Sequence, residues 1–138
     1  MTSIALYALV LNAVWEYAQL VPLYTCWTRW SRWQKLLCPP AAIVGDVMIV
    51  LGVSWITGQL TGTGALIPQG WAGWTLLLAA SFAASLFFEW VARRLDLWRY
   101  KSAMPTLSVA GETIGLAPVL QISLLPAASL LLAQAIPL

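Results

Sequence analysis

Residues 71–92 read WAGWTLLLAASFAASLFFEWVA, twenty-two residues carrying one charge, Glu89. About 20 mostly apolar residues are needed to cross a bilayer as a helix, so this stretch is long enough. It shows no alternation of polar and apolar side chains, and lipid admits only helices or closed barrels, which excludes a strand. Working outward, residues 40–59, 3–26 and 111–136 qualify by the same test. The whole chain is 61% hydrophobic and 9% charged, against roughly 25% charged in soluble domains. The expectation is an all-α membrane protein, a single domain over residues 1–138 built as a four-transmembrane-helix bundle.

The seven Lys and Arg residues fall in two stretches, Arg29–Lys35 and Arg93–Lys101. They occupy the first and third connections, and the second, 61–70, holds no charge. The positive-inside rule places both basic loops, residues 27–39 and 93–108, in the cytoplasm and both termini outside. The first loop carries Trp27, Trp30 and Trp33 at every third position beside its basic residues, an interfacial belt. The N-terminus lacks a basic n-region and a small-residue cleavage site, so the first helix is expected to be retained rather than removed as a signal peptide. The expected location is an integral membrane, the inner membrane of a bacterium.

Two cysteines, Cys26 and Cys38, border the cytoplasmic first loop, where thiols are normally kept reduced, and a structural disulfide is not expected. With two Cys and no His there is no zinc constellation, no Cys-His dyad and no Ser-His triad. The Gly-Thr-Gly run at 62–64 follows no strand and lacks a Lys partner, so it is no phosphate loop. No metal, cofactor or nucleic-acid partner is expected.

Three of the five acidic residues, Glu16, Asp46 and Glu89, lie inside the predicted helices. Each costs roughly 2.5–3.5 kcal/mol at mid-helix on insertion scales, which makes such residues functional candidates. At 1.5 Å rise per residue they sit about 15, 9 and 6 Å from the cytoplasmic ends of their helices, all in one half of the bilayer. Gln121 reaches a similar depth in the fourth helix. Asn12, Glu16 and Gln19 share one face of the first helix, and Ser81, Ser85 and Glu89 share one face of the third. These faces are expected to line a common cavity, with Gly45 and Ser54 letting the second helix approach its neighbours. Glu89 could instead pair Arg93 or Arg94 as a plain structural contact, and Glu112 and Asp96 read as solvated. The stretch Leu97–Pro105, with Trp98 and Tyr100, is either an interfacial anchor or a lid on that cavity. Pro118 and Pro126 are candidate kinks in the fourth helix.

Asn12-Ala13-Val14-Trp15-Glu16-Tyr17, followed by Gly45-Asp46-Val47-Met48, resembles the integral-membrane terpene cyclases of meroterpenoid and indole-diterpene pathways, which carry a similar Asn-x-x-Trp-Glu signature. The resemblance covers the first two helices of a chain shorter than those enzymes. It implies that a buried carboxylic acid protonates an epoxide or alkene of a polyprenyl chain and that a cation cascade closes rings without metal. The acid role falls on Glu16, with Asn12 and Trp15 as neighbours and Asp46 as a second polar residue. Glu89, in Phe87-Phe88-Glu89-Trp90, is similar in character. The aromatic faces of Trp15, Tyr17, Trp90 and Trp98 would suit a carbocation by cation-π attraction. The site expected is therefore Glu16, Asp46 and Glu89 as catalytic groups, with Asn12, Trp15, Tyr17, Gln19, Trp90, Trp98, Tyr100 and Gln121 holding substrate. Expected partners are membrane lipid and a hydrophobic isoprenoid molecule, with a homo-oligomer as a further assembly. Two rival classes share the same residues: a small proton-coupled transporter or hydrophobic-ligand binder, and a structural subunit of a membrane complex.

Overall fold

The computed structural model describes residues 1–109 and 111–136. Its elements are α1 (Thr2–Leu23), α2 (Cys26–Arg29), α3 (Arg32–Leu60), α4 (Gly70–Arg94), β1 (Thr106–Val109), β2 (Glu112–Gly115) and α5 (Leu116–Ala135). Four of these, α1, α3, α4 and α5, are long and apolar enough to cross a membrane. Helices α3 and α5 each pack against the other three spans.

Polarity runs opposite to that of a soluble protein. Val14, Met48, Trp55, Phe82, Phe87 and Leu131 stand exposed on the helix surfaces, while Asn12, Gln19, Ser54, Thr57, Ser81, Ser85, Glu89, Gln121 and Ser129 are buried. An apolar exterior costs nothing against lipid, and polar side chains in such a medium must find one another inside. Ile4, Ala8, Val50, Val53, Leu77, Leu130 and Ala133 form a buried apolar cluster beside some of these hydroxyls.

Helix α3 begins eight residues before the predicted start at Pro40. Ser31 Oγ accepts from the Gln34 backbone N–H at 3.3 Å and Gln34 Oε1 accepts from the Ser31 N–H at 2.9 Å, a reciprocal capping box. The cap starts a helix that runs on through Pro39 and Pro40. The carbonyls these prolines leave unbonded, those of Lys35 and Leu36, lie in the first turns, where the polar boundary can satisfy them.

The all-helical expectation is corrected between the third and fourth spans. Residues 106–109 and 112–115 pair as two antiparallel strands, with Thr106 opposite Gly115 and Val109 opposite Glu112. Gly111, between them, adopts φ +81°, a conformation that suits glycine. The fourth span therefore starts at Leu116, not Gly111.

The two basic connections lie at the same end of the bundle and are joined to each other. Thr25 N–H donates to the Arg99 carbonyl at 3.0 Å, Lys101 N–H to the Leu23 carbonyl at 2.8 Å, and Tyr24 pairs with Tyr100 in an isolated bridge. At the opposite end, the 61–69 connection folds tightly onto α3. A Cβ at Gly58 would run into the Ala65 carbonyl oxygen, whereas at Gly45 it would meet nothing. The close approach expected at Gly45 is thus made by Gly58, thirteen residues along the same helix. Gly58→Val is expected to lower the melting temperature in detergent, and Gly45→Ala to leave it unchanged; scanning fluorimetry on both variants checks the contrast.

Candidate functional site

A cavity of about 380 Å³ lies at the basic end, between the C-terminal halves of α1 and α4 and the N-terminal halves of α3 and α5. Glu16, Asp46 and Glu89 all line it, together with Gln19 and Gln121. The three carboxylates come from three different helices. Its size falls in the range of small-molecule sites, roughly 300–1,000 Å³. No Lys or Arg is among its lining residues.

The polar wall is one connected network. Gln19 Nε2 donates to Glu16 Oε2 at 2.9 Å and to Gln121 Oε1 at 2.7 Å. Gln121 Nε2 donates in turn to Asp46 Oδ2 at 2.7 Å and to Asn12 Oδ1 at 3.0 Å. Asn12 anchors the chain by donating to the Ala8 carbonyl at 2.9 Å, and Trp15 Nε1 reaches Gln19 Oε1 at 3.2 Å. Spacing explains the local part: Asn12, Glu16 and Gln19 recur every three or four residues and so stack on one face of α1. A carboxamide can donate twice and accept at its oxygen, so glutamine suits a junction between two acids.

Glu89 belongs to a second group of contacts. Trp98 Nε1 donates to Glu89 Oε1 at 3.3 Å, and the Gly115 backbone N–H also reaches its carboxylate. Arg93 does not pair with Glu89; its guanidinium donates to the Trp98 carbonyl at 3.1 Å and lies 5.0 Å from the Tyr100 ring centroid. Arg94 pairs Glu112 at 3.2 Å, and Asp96 pairs Arg99 at 2.7 Å. Tyr100 Oη accepts from the Gly115 N–H at 3.1 Å, clasping β2 to the third connection.

The other expected contact residues divide. Trp98 lines the cavity. Asn12 and Trp15 stand behind the lining, holding Gln121 and Gln19. Tyr100 packs on Tyr24, ring centroids 5.8 Å apart, and supports the roof. Tyr17 and Trp90 do not join the site: Tyr17 is 51% exposed and Trp90 41%, the latter under Arg94 at 5.3 Å. Both lie one residue beyond a carboxylate in sequence, which on a helix turns a side chain by about 100° and out of the interior.

Sequence reasoning missed Tyr24, Cys26, Trp30, Gln34, Cys38 and Phe88, which also line the cavity, as do the apolar Leu20, Ala42, Leu97, Pro118 and Ile122. Trp30 reads as part of an interfacial belt, and nothing local says that the first connection folds inward. Burial pushes the Tyr24 phenol well above its ordinary pKa, so it stays a hydrogen-bond donor at neutral pH. Both cysteines are free. Among the described residues no three His, Cys, Asp or Glu side chains are grouped to hold a metal ion.

No family model matches the chain, and no curated protein or solved structure is significantly similar to it. The cavity presents acids, carboxamides and aromatic faces among mostly apolar lining.

Gln121→Leu should lower the melting temperature, and a double-mutant cycle with Asp46→Asn should give a coupling of about 0.6 kcal/mol, the average between polar side chains in a membrane bundle, and no more than about 1.7. Burial also raises the Cys26 thiol above its ordinary pKa, so less of it is thiolate at neutral pH than of a free cysteine. Alkylation of Cys26 by iodoacetamide, followed in Cys38→Ser, should be slower than that of free cysteine at neutral pH. Its rate should still be climbing at a pH where free cysteine has levelled off.

Proposed function

We propose that the chain is a membrane-embedded acid catalyst acting on an isoprenoid, most specifically a terpene cyclase. The observation that carries this reading is the convergence of Glu16, Asp46 and Glu89 on one aromatic-lined cavity within the bundle. In this reading a carboxylic acid, Glu16, gives its proton to an alkene or epoxide of the bound chain. In an alkene the π pair takes that proton; in an epoxide an oxygen lone pair takes it and a C–O bond breaks with its electrons going to the oxygen, which becomes a hydroxyl; either way a carbocation results. A neighbouring double bond attacks it and closes a ring. A carboxylate removes a proton from an adjacent carbon, restoring a double bond and leaving a product of unchanged mass. Glu89, already receiving the Trp98 indole and Gly115 N–H donors, is arranged as an acceptor and suits that last step. Trp30, Trp98, Tyr24 and Phe88 offer ring faces along the lining to the passing cation. The resemblance of Asn12-x-x-Trp15-Glu16 to terpene cyclases points the same way. The reaction as written needs no metal or cofactor. The basic end, with the cavity beneath it, is assigned to the cytoplasm by its Lys and Arg residues.

One observation favours a second reading, a proton-coupled binder or exporter of hydrophobic molecules: Glu16 and Asp46 are bridged through Gln19 and Gln121, so occupancy at one acid is felt at the other. Mass spectrometry of polyprenyl epoxides and alkenes incubated with the purified protein separates the two. A cyclic isomer formed by wild type and lost in a folded Glu16→Gln variant is the expected result. Retention of the unmodified compound by both proteins would remove the catalytic reading and leave the second.

A further inference from the structure

Beyond the cavity floor, away from the basic end, the bundle interior carries a succession of buried hydroxyls that neither function above uses. Ser85 Oγ lies 3.3 Å from Ser123 Oγ across α4 and α5. Ser81, one turn further on α4, is fully buried, as are Ser54 on α3, Ser129 on α5 and, at 1% exposure, Thr57 on α3.

Their levels along the bundle follow from two printed contacts and the helical rise. Asp46 and Gln121 are hydrogen-bonded, and α3 and α5 both run away from the basic end, so eight residues further Ser54 and Ser129 share a level about 12 Å beyond Gln121. Ser123, and Ser85 beside it, stand about 3 Å beyond, Ser81 about 9 Å and Thr57 about 16 Å. Successive hydroxyls are thus separated by about 3–6 Å along the axis.

The hydroxyls are not all satisfied alike. In an apolar helix, serine and threonine ordinarily donate to the carbonyl one turn back. Ser54 does so to Val50 at 2.7 Å and Ser129 to Leu125 at 2.7 Å. Ser81 Oγ and Thr57 Oγ1 take no such bond and have no partner among the described residues, although both are fully enclosed. Buried polar groups without a protein partner are characteristically held by internal water. Pro126, itself buried, further withholds the N–H that an α-helix would give the Ile122 carbonyl, at the level of Ser85 and Ser123.

We propose that internal water bound by Thr57, Ser54, Ser129, Ser81, Ser85 and Ser123 forms a file from the uncharged end of the bundle to the cavity floor at Gln121. Through it the cavity carboxylates exchange protons with the side opposite the basic loops. The file is independent of what those carboxylates do with the proton.

The test uses the full chain in nanodiscs, with Cys26→Ser and Cys38→Ser as background. A single thiol is placed at Ser81→Cys or, as a lipid-facing control, at Phe82→Cys, and is exposed to silver ion. Reaction is scored as loss of later maleimide labelling after unfolding. Silver reacts with thiols in contact with water, so residue 81 is expected to react several-fold faster than residue 82. Adding Thr57→Val, which replaces a hydroxyl with a methyl at the outer end of the file, is expected to slow reaction at 81 several-fold. Equal, slow reaction at 81 and 82 would show a dry interior and overturn the proposal. Fast reaction at 81 untouched by Thr57→Val would also overturn it, by bringing the water from the cavity side. Helicity by circular dichroism and a single peak in gel filtration establish that each variant is folded. Because no isoprenoid is present, these outcomes stand apart from the success or failure of the cyclisation reading.

Discussion

The polar network that joins α1, α3 and α5 is organised around the Gln121 carboxamide. Both of its amide hydrogens are committed, to Asp46 and Asn12, and its oxygen receives Gln19, which holds Glu16. Three helices are thereby fixed to one another by a single side chain near the start of the fourth span. In lipid there is no hydrophobic force between helices to do this, and small-residue packing plus such bonds must suffice. A hydrocarbon at position 121 would leave a carboxylate, a carboxamide oxygen and a carboxamide donor without their shared partner. The cost of an unsatisfied buried group, about 1–3 kcal/mol, would then fall in several places at once.

Once this junction is made, the rest of the basic end has to close over it. The first and third connections are pinned together by backbone bonds between Thr25 and Arg99 and between Lys101 and Leu23, and Tyr24 carries the rings of Trp98 and Tyr100 against it. Arg93 braces this roof from below by holding the Trp98 carbonyl. The indole so fixed then donates to Glu89. Glu89 is thus held by the roof rather than by a basic partner, and the arginines beside it in sequence serve the roof.

The four spans were legible because hydropathy and length are summed over twenty residues, and no local exception changes the sum. The acids were legible for the opposite reason: in a membrane each is a local exception that must be compensated, so Glu16, Asp46, Glu89 and Gln121 announce themselves. That they meet in one cavity could be inferred from depth alone, since all fall in the same half of the span. Facing was less legible one residue away, and Tyr17 and Trp90 were drawn in by adjacency when the helical turn carries them outward. The strand pair at 106–109 and 112–115 was hidden behind the assumption that apolar residues near a span belong to it; Gly111 and the β-branched Val109, Thr113 and Ile114 were its signal. The inward fold of Trp30, Cys26 and Gln34 depends on contacts between distant connections, which no window of sequence contains.

The cyclisation proposed for this cavity would need protons and would be quenched by water, and both demands meet at the cavity floor. Carboxamides and an amide-anchored asparagine plate the floor, with their hydrogen bonds spent on protein partners rather than solvent. Asp46 stands at that floor, bonded to the same carboxamide that borders the hydroxyls behind it. A water molecule moving from those hydroxyls to the cavity at Gln121 would have to displace this side chain and break its three hydrogen bonds. The residue that ties the helices together is therefore also the one that stands between the cavity and the hydroxyls behind it.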